Sequence, residues 1–172
     1  MSYLSEEYTR HYIVQALFRL MDVCEYPKIA VSDIVRKAGV GRATFYRYFK
    51  SKEDVIVYYF TYHAKEFVFS QHYYPRNKED HIRVAEESLR LFREHKESFR
   101  LLQKANLSGL YLDFLNRCFA EDFRRDHPEK DPYLPYLYAG MLYNVSMKWL
   151  EDGCAEDPAA LARLIVGAIY NK

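Results

Sequence analysis

Glycine and proline are scarce, six of each in 172 residues, and no stretch sustains an alternation of apolar and polar residues. Sheet-rich folds need such alternation and frequent turn residues, so this chain reads as all-α. Cysteine is nearly absent. Cys24, Cys118 and Cys154 are an odd, widely spaced set that suits neither a disulfide framework nor a zinc site, and they fit a reducing cytoplasm. Long apolar runs are missing too. Tyr133–Leu150 comes nearest to a membrane span, but Pro135, Asn144, Lys148 and several tyrosines interrupt it. The opening MSYLSEEYTRHYI carries early acids and no apolar core, which argues against a signal peptide. Catalytic patterns are equally thin. None of the six histidines has Glu three residues before it, and neither H-E-x-x-H nor G-x-S-x-G occurs. Gly39-Val40-Gly41 begins like a dinucleotide fingerprint, yet Thr44 stands where the third glycine belongs and no strand precedes it. No enzyme, cofactor or metal site is expected.

What the chain does have is helical periodicity, with 49% hydrophobic and 28% charged residues. Ser5 is expected to cap a first helix, with Glu6 and Glu7 in its first turn. Its inward stripe reads Tyr8, Tyr12, Ile13, Ala16, Leu17, Leu20, Met21, and it ends before Pro27. A second helix covers about 31–38. Gly39 follows as its left-handed terminator and Val40 plugs the turn. A third helix runs about 42–49. Ser51 caps a fourth, with Asp54 as a short capping-box acid, and that helix extends to about His72. Asn77 caps a helix of about 78–95 whose inner face is Ile82, Ala85, Leu89 and Phe92. Further helices are expected near 98–104, 108–125, 135–152 and 158–170. The polar run 126–132 is a loop, and Pro135 and Pro158 stand near helix starts, where a missing N–H costs little.

Charge singles out one segment. The net charge is only +1, but Arg36, Lys37, Arg42, Arg47, Lys50 and Lys52 fall in one stretch with no acidic residue between Arg36 and Lys52. A short helical pair with a concentrated positive face suits DNA. Helix faces divide the residues. Phe45 and Phe49, four apart, pack inward with Ile34, Val35 and Val40. Arg42, Ala43, Thr44, Tyr46 and Arg47 are left outward or at the N-terminal end, where Arg can pair with guanine and Ala or Thr methyls can touch thymine. Tyr46, Tyr48 and Lys52 are placed for phosphates. Lys52 also opposes the dipole in the first turn of its helix, which suggests a purpose other than helix stability.

The string Val31, Asp33, Ile34, Ala38, Gly39, Val40, Thr44, Phe45, Tyr46, Tyr48, Phe49, Ser51, Lys52, Glu53 resembles the helix-turn-helix of TetR-type (tetracycline-repressor-like) transcriptional regulators. With the first helix, the resemblance spans about 8–62. It implies DNA contact by Arg42, Ala43, Thr44, Tyr46, Arg47, Tyr48 and Lys52. It implies a three-helix DNA-binding domain over 1–52, a connector helix at about 52–72, and a helical regulatory and dimerisation domain over 53–172, about nine helices in all. Two positions depart from the family pattern. Ala30 and Gly41 replace the usual capping Thr or Ser, which puts one or two phosphate contacts in doubt.

The C-terminal half is less explicit. Tyr133–Leu150 has one charged residue, Lys148, so most of its sides need cover. The last helix, PAALARLIVGAIY, is rich in small residues that allow close approach. The resemblance implies a homodimer through these last two helices, with a pair of reading heads on a palindromic operator. It also implies an effector pocket, for which the candidate linings are Tyr62, Phe69, Phe92, Phe99, Leu102, Tyr111, Phe114, Leu115, Phe119 and Tyr143. The same aromatics at helical spacing also fit a plain core. Trp149-Leu150-Glu151-x-Gly153, followed by Pro158 and Leu161, resembles a subgroup that includes the activator of a dihydroxyacetone-kinase operon. The expected function is a cytoplasmic, dimeric DNA-binding regulator, a repressor released by a small molecule. The alternatives are a regulator or co-activator controlled by a protein partner, and a helical oligomer that has lost DNA binding.

Overall fold

The structure, a computed structural model, describes residues 3–64, 77–126 and 131–170. These residues form nine α-helices and no strand. They are α1 (Tyr3–Val23), α2 (Val31–Ala38), α3 (Arg42–Tyr48), α4 (Lys52–Ala64), α5 (Lys78–Glu94), α6 (Lys96–Lys104), α7 (Gly109–Asp126), α8 (Leu134–Glu151) and α9 (Pro158–Tyr170). A single 3-10 turn, Tyr26–Lys28, links α1 to α2. The expected reach of α4 to His72 lies outside the described residues beyond Ala64.

Local rules explain most helix ends. Gly39 takes φ +70 at the end of α2. Its N–H donates to the Arg36 carbonyl at 3.4 Å and the Val40 N–H to the Val35 carbonyl at 3.0 Å, the paired bonds of a Schellman terminator. Ser51 Oγ accepts from the Asp54 N–H at 3.2 Å, and the Asp54 carboxylate accepts from the Lys50 N–H at 2.8 Å. Asn77 Oδ1 accepts from the Asp80 N–H at 2.9 Å and so caps α5.

Helix α1 departs from its expected reading twice. It is already helical at Tyr3, so Ser5 is not its cap. Tyr8 and Tyr12 are 62% and 57% exposed, while Ile13, Val14, Ala16, Leu17 and Met21 are buried. The buried stripe is thus carried by aliphatic residues, and the two tyrosines lie on the far side. Alternation of these types on one amphipathic helix leaves the stripe's phase open until a neighbour fixes it.

Helices α1–α3 form the N-terminal bundle, and α1 packs on α2, α4 and α6. In the C-terminal half α5 lies on α9, α7 on α8, and α4 reaches α7. One apolar cluster runs through both halves, from Ile13 to Val166. Helix α4 is the shared element. Val55 and Ile56 are fully buried, and one turn later Phe60 meets the rings of Phe99, Tyr111 and Phe114 at 5.4–5.7 Å. A polar aromatic joint sits beside it. The His63 ring lies 4.0 Å from that of His95 and 4.6 Å from that of Tyr59, and His11 of α1 lies 5.6 Å from Tyr62.

Candidate nucleic-acid interface

Helix α3 is set in place by its inward residues. Phe45 is fully buried and Phe49 nearly so, their rings 5.8 Å apart, over buried Ile34 and Val35 of α2. Val40 packs on the same cluster. Arg42, Ala43, Tyr46 and Arg47 therefore face solvent, Tyr46 at 58% exposure. Thr44 and Tyr48 are half-buried. The outward set is arginine-rich at both ends of a short helix, with Arg36, Lys37 and Lys50 exposed nearby. Asp33 answers one of these charges, accepting from Arg36 at 2.6 Å.

The two unusual caps behave differently. Ala30 has no side-chain acceptor for the α2 N-terminus, but its own N–H donates to Asp33 Oδ2 at 3.0 Å, half of a capping box. Gly41 is extended and makes no side-chain bond. A Cβ there would meet only Thr44 Oγ1, at 4.0 Å, so the site has room for serine.

Lys52 is braced internally. Its ammonium donates to the carbonyls of Ile29 at 2.7 Å and Tyr26 at 3.0 Å, and lies 4.1 Å from the Tyr26 ring centroid. The Tyr26 carbonyl opens the 3-10 turn and also accepts the Ile29 N–H at 3.1 Å, while the Ile29 carbonyl stands just past the turn. This bracing is the purpose that offsets the unfavourable place of Lys52 at the start of α4. Beside it the Tyr26 hydroxyl donates to Glu53 Oε1 at 2.5 Å. Burial, and then the Glu53 carboxylate, push the Tyr26 hydroxyl's pKa far up. Burial alone would raise Glu53, but hydrogen bonds from Tyr26, its own backbone and Ser51 outweigh it and hold the carboxyl below its usual range. The latch ties the entry of α2 to the start of α4, so α2 and α3 sit between two fixed ends.

Arg10 of α1 was not singled out by the sequence. It lies on the helix face that carries Ile13, Val14 and Leu17, where a charged residue is out of place. Its guanidinium carbon is 4.9 Å from the Tyr48 ring centroid and 5.7 Å from that of Tyr58. Arg47 approaches the same Tyr48 ring at 5.8 Å. Tyr26 and Glu53 were also missed as a pair, because their bond joins residues 27 apart.

Of the pocket candidates, Phe92, Phe99 and Tyr111 meet one another and Phe60, with Phe92 and Phe99 stacked at 4.1 Å. Phe114 touches Phe60, and Tyr143 touches Tyr111. Leu102 and Leu115 are buried. Phe119 packs elsewhere, edge-on to Tyr138 at 4.8 Å, and Tyr62 belongs to the His11 and His63 joint. Phe69 lies outside the described residues. Among the described residues no three His, Cys, Asp or Glu side chains are grouped to hold a metal ion, and no helix is long and apolar enough to cross a membrane.

Comparisons with known proteins agree with this geometry. Residues 13–59 match the family model of bacterial regulatory proteins, tetR family. The chain is 27% identical over 157 residues to the uncharacterized HTH-type transcriptional regulator YxbF of Bacillus subtilis (strain 168), covering 81% of this chain. It spans only 38% of that relative's length. Its fold is similar to that of a protein assigned to the TetR-family regulators from Syntrophomonas wolfei str. Goettingen, with a TM-score of 0.63 at 16% identity over 94% of this chain and 93% of the other. It is also similar to the dihydroxyacetone kinase operon activator DhaS, with a TM-score of 0.61 at 20% identity over 95% and 94%. With the matched segment folded as a helix-turn-helix on an all-helical frame, residues 13–59 form a domain of the tetR-family type.

Proposed function

We propose that this regulator binds a palindromic operator as a homodimer in the cytoplasm, reads it with Arg42, Ala43, Thr44, Tyr46 and Arg47, and acts as a repressor released by a small molecule. The carrying observation is the outward set of α3, exposed on a helix whose other face is locked by Phe45 and Phe49. Tyr48 adds phosphate contact at the end of that helix. Lys52, with two donors held by carbonyls, sets the head's shape and keeps one N–H for a phosphate. The unit over 1–52 is the reading head and 53–172 the regulatory and dimerising part, with α4 as connector. Two-fold pairing has support in exposed apolar side chains on the last two helices. Leu137 of α8 is 61% exposed and Leu164 of α9 is 64% exposed, with Tyr133, Tyr136 and Tyr170 also open.

A second reading, control by a protein partner, draws on the ring packing of Phe60, Phe92, Phe99 and Tyr111, which occupy one another's faces. The deciding experiment is a gel shift with the DNA upstream of the gene, at low salt, with Arg47→Ala alongside. A shift that weakens by about 1–3 kcal/mol in the variant, on specific DNA only, marks Arg47 as a base reader. No shift of the unaltered chain on any neighbouring palindrome would sink the operator reading. Light scattering at micromolar protein checks the pairing, and a clean monomer contradicts it.

A further inference from the structure

We propose that the first helix joins the DNA interface through Arg10, which shares the Tyr48 ring with Arg47 and itself bonds one backbone phosphate, while Arg47 stays with the bases. The inference rests on the reading that α3 docks on DNA, and adds a contact from outside the helix-turn-helix. Two guanidinium groups approach one ring, at 4.9 and 5.8 Å from its centroid. Like charges gathered at one ring raise the local positive potential, and an anion bound there relieves it. Among the described residues neither Arg10 nor Arg47 forms an ion pair with a carboxylate. Glu7, one turn before Arg10, is exposed and forms no such pair, although its charge reaches the Tyr58 hydroxyl beside Arg10.

The setting of Arg10 is unusual for a surface charge. Its Nε is buried without a hydrogen-bond partner. The stem lies on the core-facing side of α1, and the rings of Tyr48 and Tyr58 hold the planar head. The Tyr58 hydroxyl is its polar neighbour, and Arg10 acts on Tyr58 against the upward effect of burial. A guanidinium flanked by rings is stripped of part of its water before any ligand arrives. That strengthens a later bond to an anion, and the planar fork suits two phosphate oxygens. Tyr48 is the last residue of α3, so Arg10 stands at the end of the recognition helix. Arg10 also fixes the Tyr48 ring, so the test must separate a brace from a direct phosphate bond.

Salt dependence makes that separation. Removing one phosphate bond lowers the slope of log affinity against log salt by about 0.9, whereas removing a brace weakens binding at unchanged slope. The full chain is titrated by fluorescence anisotropy onto its upstream duplex and onto a random-sequence duplex, between about 50 and 200 mM salt. The expected result for Arg10→Met is a slope shallower by about 0.9 for each protomer bound, on both duplexes. For each protomer, the affinity gap between wild type and variant then closes by about threefold across that range. Arg10→Lys keeps the charge and is expected to keep the slope. Should Arg10→Met fail to fold by circular dichroism, Arg10→Gln, which retains a donor toward Tyr58, is measured in its place. A wild-type slope in the neutral variants overturns the proposal, whatever their affinity. If the unaltered chain binds neither duplex, the DNA reading falls and this inference with it. If it binds and only the slope is unmoved, the DNA reading stands and Arg10 is a brace alone.

Discussion

Replacing His63 by Phe should remove an acid-sensitive part of this protein's stability. Burial, then His95 and His11, depress the His63 pKa from 6.5 to about 4. The folded chain therefore prefers the neutral ring, while the unfolded chain takes up a proton below about 6.5. The unfolded state binds more protons across that window, so stability falls as the pH drops from 6.5 toward 4 and levels off below it. At about 1.4 kcal/mol per pH unit, the gap sets a ceiling of about 3 kcal/mol. His63 is only half-buried, and screening by water reduces the expected loss to about 1–2 kcal/mol. Phe keeps a ring against Tyr59 and His95 but cannot titrate. Urea unfolding at about pH 7.5 and about pH 4.5, at one fixed protein concentration, gives the comparison. Wild type should lose about 1–2 kcal/mol more than His63→Phe between the two. Equal losses in both proteins would refute the argument, since the depressed histidine would then carry none of the acid sensitivity. An offset between the proteins at neutral pH, by contrast, reports only the packing of the new ring.

Three further substitutions probe the N-terminal bundle. Gly39→Ala should destabilise by about 1 kcal/mol, because φ is +70 and nothing lies within 4 Å of the new Cβ to add a clash. A neutral or higher urea midpoint would speak against the left-handed turn. Ala30→Ser adds the missing acceptor at the start of α2 and should stabilise by about 1 kcal/mol, with a higher midpoint as the measure. Tyr26→Phe removes the donor to Glu53 while keeping the ring under Lys52, and should lower stability by about 1–2 kcal/mol at neutral pH. That difference should shrink as acid protonates Glu53, whose carboxyl the bond holds down, so a pH-independent difference would remove Glu53 from the account.

Features governed by near neighbours were legible in the sequence. Gly39 needed only the pattern of its own helix end, and the structure gives it the left-handed turn. Asn77 and Ser51 needed only the residues three positions on. The division of α3 into a packed side and an open side followed from the spacing of Phe45 and Phe49, since a short helix has one way to bury two rings four apart. Helix α1 was harder. Tyr8 and Tyr12 lie on a helix whose aliphatic and aromatic residues share several turns, and either stripe is amphipathic alone. The choice is made by α2, α4 and α6, which meet α1 through Ile13, Leu17 and Met21. Lys52 shows the same limit. Its cost to the dipole is visible in the sequence, but the carbonyls that compensate it come from 23 and 26 residues earlier.

Helix α8 carries the limit into function. Its sequence is apolar nearly all round, which demands cover without saying whose. The single chain covers the side of Tyr138, Ala139, Leu142, Ser146 and Trp149 and leaves Tyr133, Tyr136 and Leu137 open. The first group is reached by α5, α7 and α9 of the same chain. The second stands near the start of the helix, where Leu137 is 61% exposed among the described residues. Burying a leucine and its neighbouring tyrosines stabilises by about 1.5–3 kcal/mol for each side chain fully enclosed. A two-fold contact doubles every such term, because each residue is covered in both copies. In the proposed homodimer, replacing Leu137 by Glu should act twice and shift the light-scattering midpoint far more than it shifts the unfolding of a single chain. Equal effects on both would place Leu137 on an ordinary exposed surface, and the apolar character of α8 would need another cause.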